Sequence, residues 1–162
     1  MAFKSNNQKN HICMSPTEEK LLNILLVEDD SVDVMNVQRA FVKNNITNPL
    51  HIAFNGVEAL NMLRGSNGKP KLNPMPRIIL LDINMPKMNG LEFLRAIRND
   101  NDLKSVSVFV MTTSNDDQDK IEAYNLNVAG YILKPLSFEK FVNAVAVLNS
   151  YWKLCEQPML MM

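Results

Sequence analysis

Apolar positions fall into two kinds of stretch that take turns along the chain. Short apolar runs occupy residues 24–27, 50–54, 78–81, 106–111 and 130–133, interrupted only at His51 and Ser107. The first and third hold no polar residue, and the fourth holds none over 108–111, as strands buried on both faces do. Between the runs, apolar residues recur at helical spacing: Val34, Val37 and Phe41; Val57, Leu60 and Leu63; Leu91, Phe93, Leu94 and Ile97. The pattern predicts helices over 33–44, over the segments around these sets, over 117–124, and from Phe138 to beyond Tyr151. Asn44-Asn45, Asn55-Gly56 and the Asn and Asp residues of 99–102 punctuate them. Residues 65–76, with two Gly and three Pro, predict a long exposed loop.

Strand and helix therefore alternate five times. Strands separated by helices of this length imply a parallel sheet covered on both faces. With right-handed crossovers the expected fold is α/β, a doubly wound five-stranded parallel sheet of flavodoxin-like type, strand order 2-1-3-4-5. The expected division is a flexible leader over 1–22, one domain over 23–152 and a tail over 153–162, in line with roughly 100–200 residues per domain. In the last helix Phe138, Phe141, Val145, Leu148 and Trp152 form a stripe read as core. Ala144, Val147, Tyr151 and Leu154 form a second stripe, either partly packed or a candidate interface.

Charge narrows the function classes. The 17 basic and 17 acidic residues cancel, which speaks against a nucleic-acid backbone as partner. No apolar run approaches the roughly 20 residues of a membrane span, and residues 1–22 lack a signal-peptide core, so a cytoplasmic protein is expected. Cys13 and Cys155 lack metal-ligand spacing and read as reduced thiols. His11 and His51 have no catalytic setting.

The polar residues of interest follow the strands. Glu28-Asp29-Asp30 follow the first, Asp82 the third, Thr112 the fourth and Lys134 the fifth. In a parallel sheet all carboxyl ends share one edge, where ligands bind. Asp82 alone could merely end a strand, and one of the three leading acids suits a helix N-terminus, with Asp30 or Ser31 as cap. Acids crowded at one edge repel unless a cation meets them. Oxygen donors with no His or Cys suit Mg²⁺. A metal-bound aspartate beside a lysine and a hydroxyl has the makings of a phosphoryl acceptor.

These motifs together resemble the response-regulator receiver domain of two-component signalling over about residues 23–151. They are Leu-Val-Glu-Asp-Asp, Leu-Leu-Asp-Ile-Asn-Met-Pro-Lys-Met-Asn-Gly, Met-Thr-Thr-Ser and Tyr-Ile-Leu-Lys-Pro, in order after successive strands. The resemblance implies that Asp82 is the phosphoacceptor and that Asp29, Asp82 and the backbone carbonyl of Asn84 ligate Mg²⁺, with Glu28 acting mostly through water. It implies that Thr112 is the switch hydroxyl, Tyr131 the aromatic switch and Lys134 the partner of a phosphoryl oxygen. Pro135 is expected to follow a cis peptide bond. Glu28 departs from the common pair of aspartates, a frequent variant.

The implied partner is a sensor histidine kinase. The short run after Tyr151 leaves no room for an effector domain, so a stand-alone, CheY-like regulator is expected. The long loop before Pro76 and the ending Tyr151-Trp152-Lys153-Leu154-Cys155 resemble single-domain regulators that pair with phytochrome-type kinases. The output would be protein binding or homodimerisation through the face of helix four, strand five and helix five, with Val147, Tyr151 and Leu154 as the interface. The protein would then be no enzyme beyond its own aspartyl phosphorylation and dephosphorylation. Three alternatives remain. A flavodoxin needs a hydroxyl- and Gly-rich phosphate loop where this chain has acids. An Asp-x-Asp phosphatase needs an acid where Asn84 stands. A receiver-like module could bind partners without phosphorylation.

Overall fold

The computed structural model describes residues 22–134 and 136–156. The expected leader up to residue 21, Cys13 within it, Pro135 with its peptide bond, and the last six residues of the tail lie outside them. Five strands, β1 (Ile24–Val27), β2 (Leu50–Ala53), β3 (Ile78–Leu81), β4 (Ser107–Thr112) and β5 (Gly130–Leu133), form one sheet. Between and after them run α1 (Ser31–Lys43), α2 (Gly56–Arg64), α3 (Gly90–Arg98), α4 (Asp117–Asn125) and α5 (Phe138–Leu154). All strand pairs are parallel and the order is β2-β1-β3-β4-β5, as expected.

Side-chain alternation explains why the inner strands carry no polar residue between their ends. Leu25, Val27, Ile79, Leu81, Val108 and Val110 point to one face, where α2, α3 and α4 cover them. Ile24, Leu26, Ile78, Leu80, Phe109 and Met111 point to the other, against α1 and α5. Edge strands β2 and β5 are mostly half-buried instead.

Local chemistry sets the helix ends. Asp30 caps α1, accepting from the amides of Val32 (2.8 Å) and Asp33 (3.3 Å). Asn89 and Glu92 form a capping box at α3. Asp116 caps α4 and Ser137 caps α5.

Four expectations shift. α1 begins at Ser31 rather than Asp33, because the Asp30 cap lets Ser31 and Val32 turn helical. β4 runs through Thr112, so this residue ends the strand rather than following it. Phe138 is exposed, standing at the first turn of α5 beside a cavity between α1 and α5. Phe141, Val145, Leu148 and Trp152 do enter the core. The loop after α2 is not wholly exposed either. Leu72 and Met75 pack against the core, the Leu72 amide donates to Met62 O (2.9 Å), and Asn23 Nδ2 donates to Pro74 O (2.7 Å).

Candidate functional site

The carboxyl edge of the sheet gathers the predicted residues. The amide of Glu28 donates to Ala53 O (3.0 Å) and that of Asp82 to Val27 O (3.0 Å), so both acids are held by backbone pairing at the strand ends. Glu28 and Asp82 are buried, while Asp29 is exposed. One carboxylate oxygen from each of the three lies within 4.8 Å of the others.

Their electrostatics are unbalanced. Glu28 Oε1 accepts from the amide of Asp30 (3.1 Å) and Oε2 from Lys134 Nζ (2.9 Å). Burial nevertheless pushes its carboxyl up to about 7. The hydrogen bonds from Lys134 and Asp30 pull back, and the charge of Asp82 adds to the rise. Asp82 Oδ1 is buried with no hydrogen-bond partner. A buried unpartnered carboxylate oxygen is costly. Three oxygen donors with one left orphaned fit a hard divalent cation such as Mg²⁺.

Lys134 pairs twice. Its ammonium lies 2.7 Å from Asp33 Oδ2 as well as 2.9 Å from Glu28 Oε2. Burial alone would lower its pKa, but the hydrogen bonds to Asp33 and Glu28 outweigh it and hold it above the ordinary lysine value. Sequence reasoning missed Asp33. An acid in the first turn of α1 reads as a dipole complement, and nothing local says that it faces β5.

The switch residues are tied to the loop after β4. Thr112 is fully buried and its Oγ1 accepts from the Ser114 amide (3.2 Å). The Tyr131 hydroxyl donates to Ser114 O (2.9 Å), and Ser114 Oγ donates to Asp119 Oδ2 (2.6 Å). Burial raises the Tyr131 pKa. Asn84 is exposed on the loop between Asp82 and α3. In that loop Lys87 adopts a left-handed φ of 66° and the Gly56 amide donates to Met88 O (3.2 Å). On α5, Val147, Tyr151 and Leu154 are exposed, as are Ile121 and Tyr124 on α4.

No helix among the described residues is long and apolar enough to cross a membrane. The family model described as "Response regulator receiver domain" matches residues 24–146. "Probable methanogenesis regulatory protein FilR2" of Methanothrix harundinacea is 38% identical over 129 residues, 80% of this chain and 82% of that protein. "Response regulator Rcp1" of Synechocystis sp. is 36% identical over 129 residues, 80% of this chain and 87% of that protein. The crystal structure of its Mn(2+)-bound form matches with a TM-score of 0.74 and 33% identity, covering 85% of this chain and 99% of that one. The structure of a phosphorylated cyanobacterial phytochrome response regulator, RcpA, matches with a TM-score of 0.74 and 30% identity, covering 84% of this chain and 96% of that one.

Proposed function

The chain belongs to the response regulator receiver domain family, and on that premise we propose that Asp82 accepts a phosphoryl group from a sensor histidine kinase, with Mg²⁺ bound beside it. The observation that carries this reading is the buried, unpartnered Oδ1 of Asp82 set among the carboxylates of Glu28 and Asp29. Rcp1 is known in a Mn(2+)-bound form and RcpA in a phosphorylated one, which supports the same chemistry here.

In the proposed reaction a carboxylate oxygen of Asp82 bonds to phosphorus as the donor's P–N bond breaks, and the donor imidazole keeps the electron pair. Asp29, Asp82 and the Asn84 carbonyl, with Glu28 through water, would hold Mg²⁺, which when bound would supply positive charge against the transferred oxygens. Lys134 brings its ammonium to one phosphoryl oxygen and Thr112 its hydroxyl to another. Engagement of Thr112 strains its bond with the Ser114 amide. The loop that also holds Tyr131 then moves, and Tyr131 turns inward. Such a local charge biases a two-state equilibrium.

The proposed output is binding at the face of α4, β5 and α5. Ile121 and Tyr124 on α4 and Val147, Tyr151 and Leu154 on α5 expose apolar surface there, which suits a second copy of the chain. The phytochrome response regulator RcpA makes a phytochrome-type kinase the favoured donor.

Intact-mass analysis tests the reading. With a small phosphodonor and Mg²⁺ the wild type gains one phosphoryl group, while Asp82→Asn and metal-free samples gain none. An unmodified wild type under both a small donor and a kinase donor leaves a binding module that works without phosphorylation.

A further inference from the structure

Lys134 is the cation expected to meet the phosphoryl group, yet its ammonium is engaged by two other carboxylates. Glu28 belongs to the three-carboxylate cluster, so its ion pair with Lys134 accompanies the metal site. Asp33 is outside that cluster, one turn along α1, and its bond to Lys134 is the shorter of the two at 2.7 Å against 2.9 Å. The Lys134 side chain is 11% exposed and that of Asp33 33% exposed, so the contact is only partly screened by solvent.

A cavity of about 240 Å³ between α1 and α5 joins these groups. Asp33, Lys134, Glu28 and Asp82 all border it, above an apolar floor that includes Leu26 and Met111. Asp33, the Lys134 ammonium and Asp82 therefore share one void rather than lying on opposite sides of packed core. Asp82 Oδ1 has no hydrogen-bond partner although Asp82 and Lys134 border the same void.

We propose that Asp33 is a positioning residue that holds Lys134 off the phosphoacceptor, its carboxylate competing with the phosphoryl oxygens for the lysine ammonium. Phosphorylation wins the competition by offering a more highly charged acceptor. Asp33 thereby sets the threshold for occupying the phosphorylated state. This inference rests on the proposed role of Asp82 and concerns which carboxylate holds the lysine before transfer.

The test is a double-mutant cycle read at equilibrium. The beryllium trifluoride anion, a phosphoryl mimic, is titrated calorimetrically into the full chain in saturating Mg²⁺. Asp33→Asn is expected to tighten its binding about five- to tenfold, somewhat less than a fully buried charge-assisted hydrogen bond because Asp33 is partly exposed. Asp33→Glu is expected to restore wild-type affinity. In a Lys134→Met background Asp33→Asn is expected to have no effect. Asp33→Ser serves the same purpose if Asp33→Asn folds poorly by circular dichroism. Unchanged or weaker binding in Asp33→Asn overturns the inference, as does an effect that persists without Lys134. Wild type that binds no beryllium trifluoride and gains no phosphoryl mass overturns the role of Asp82 as well. Wild type that binds normally beside an inert Asp33→Asn overturns the role of Asp33 alone.

Discussion

Gly90 at the start of α3 lies so close to Asp82 that a Cβ there would run into the Asp82 carbonyl oxygen and come within 2.8 Å of Ile83 Cα. The Gly90 amide also donates to Ile83 O (2.8 Å), so α3 and the loop after β3 are locked backbone to backbone. Backbone atoms cannot step aside as the tip of a long side chain can. Gly90→Ala is therefore expected to destabilise the fold by about 1–3 kcal/mol. It should also slow phosphorylation of Asp82 in the surviving folded protein. Denaturant unfolding and the mass assay check the two effects separately.

Arg98 ends α3 by donating to four carbonyls: Leu126 O (2.7 Å), Lys104 O (2.8 Å), Val106 O (2.8 Å) and Asn127 O (3.1 Å). Burial lowers its pKa. A lysine cannot reproduce this fork of donors. Arg98→Lys should cost about 2 kcal/mol, since part of the carbonyl set loses a charged donor. An unfolding midpoint equal to wild type would count against this role.

The buried Glu28 carboxyl predicts an inverted pH response. Its folded pKa of about 7 stands above the ordinary 4.5, so the folded state binds the proton more tightly. The group's contribution is fully present below 4.5 and is lost as pH rises through about 7. Without divalent cation the protein should be more stable at pH 6 than at pH 8, by on the order of 1 kcal/mol from this group. Glu28→Gln should flatten that difference, and excess Mg²⁺ should oppose it by favouring the charged carboxylate. Unfolding at the two pH values, with chelator and with Mg²⁺, reads it directly.

Tyr131 holds the loop after β4 through its bond to Ser114 O. Tyr131→Phe keeps the ring and removes only the hydroxyl, at a cost of about 1 kcal/mol. Faster hydrogen exchange at the amides of residues 113–116 is the expected signature. Unaltered exchange there would mean that the ring, not the hydroxyl, restrains the loop.

Val147 is 69% exposed and Tyr151 is 52% exposed on one side of α5. Combining Val147→Lys with Tyr151→Ala should weaken self-association of the phosphorylated protein and, because the Tyr151 ring packs edge-on against Phe109 with centroids 5.9 Å apart, lower its stability by about 1 kcal/mol. Light scattering before and after phosphorylation measures it. An unchanged mass in the double variant would place the output elsewhere.

Much of the fold was legible along the chain. Runs such as Ile78–Leu81 and Ile24–Val27 carry no alternation because both faces of an inner strand are covered. That local pattern identifies a parallel sheet without any tertiary knowledge. The site residues were legible for a related reason. Parallel strands deliver their carboxyl ends to one edge, so Glu28, Asp29, Asp82, Thr112 and Lys134 were bound to meet once the strands were placed. Phe138 misled because helical spacing says which face a residue shares, not whether the helix has yet reached the sheet at that turn.

The order of strands and helices and the acidic edge that gathers Glu28, Asp29 and Asp82 were thus determined by the sequence itself, through periodicity and residue type. Tertiary structure alone decided the pairing of Lys134 with Asp33, 101 positions apart in the chain. It alone decided that Asp82 Oδ1 stays unpartnered, and that Arg98 finds its carbonyls on segments beyond its own helix. The physical reason is range. Propensity and periodicity act over a few residues, whereas hydrogen-bond partners and burial depend on which distant groups the packed sheet brings within about 3 Å.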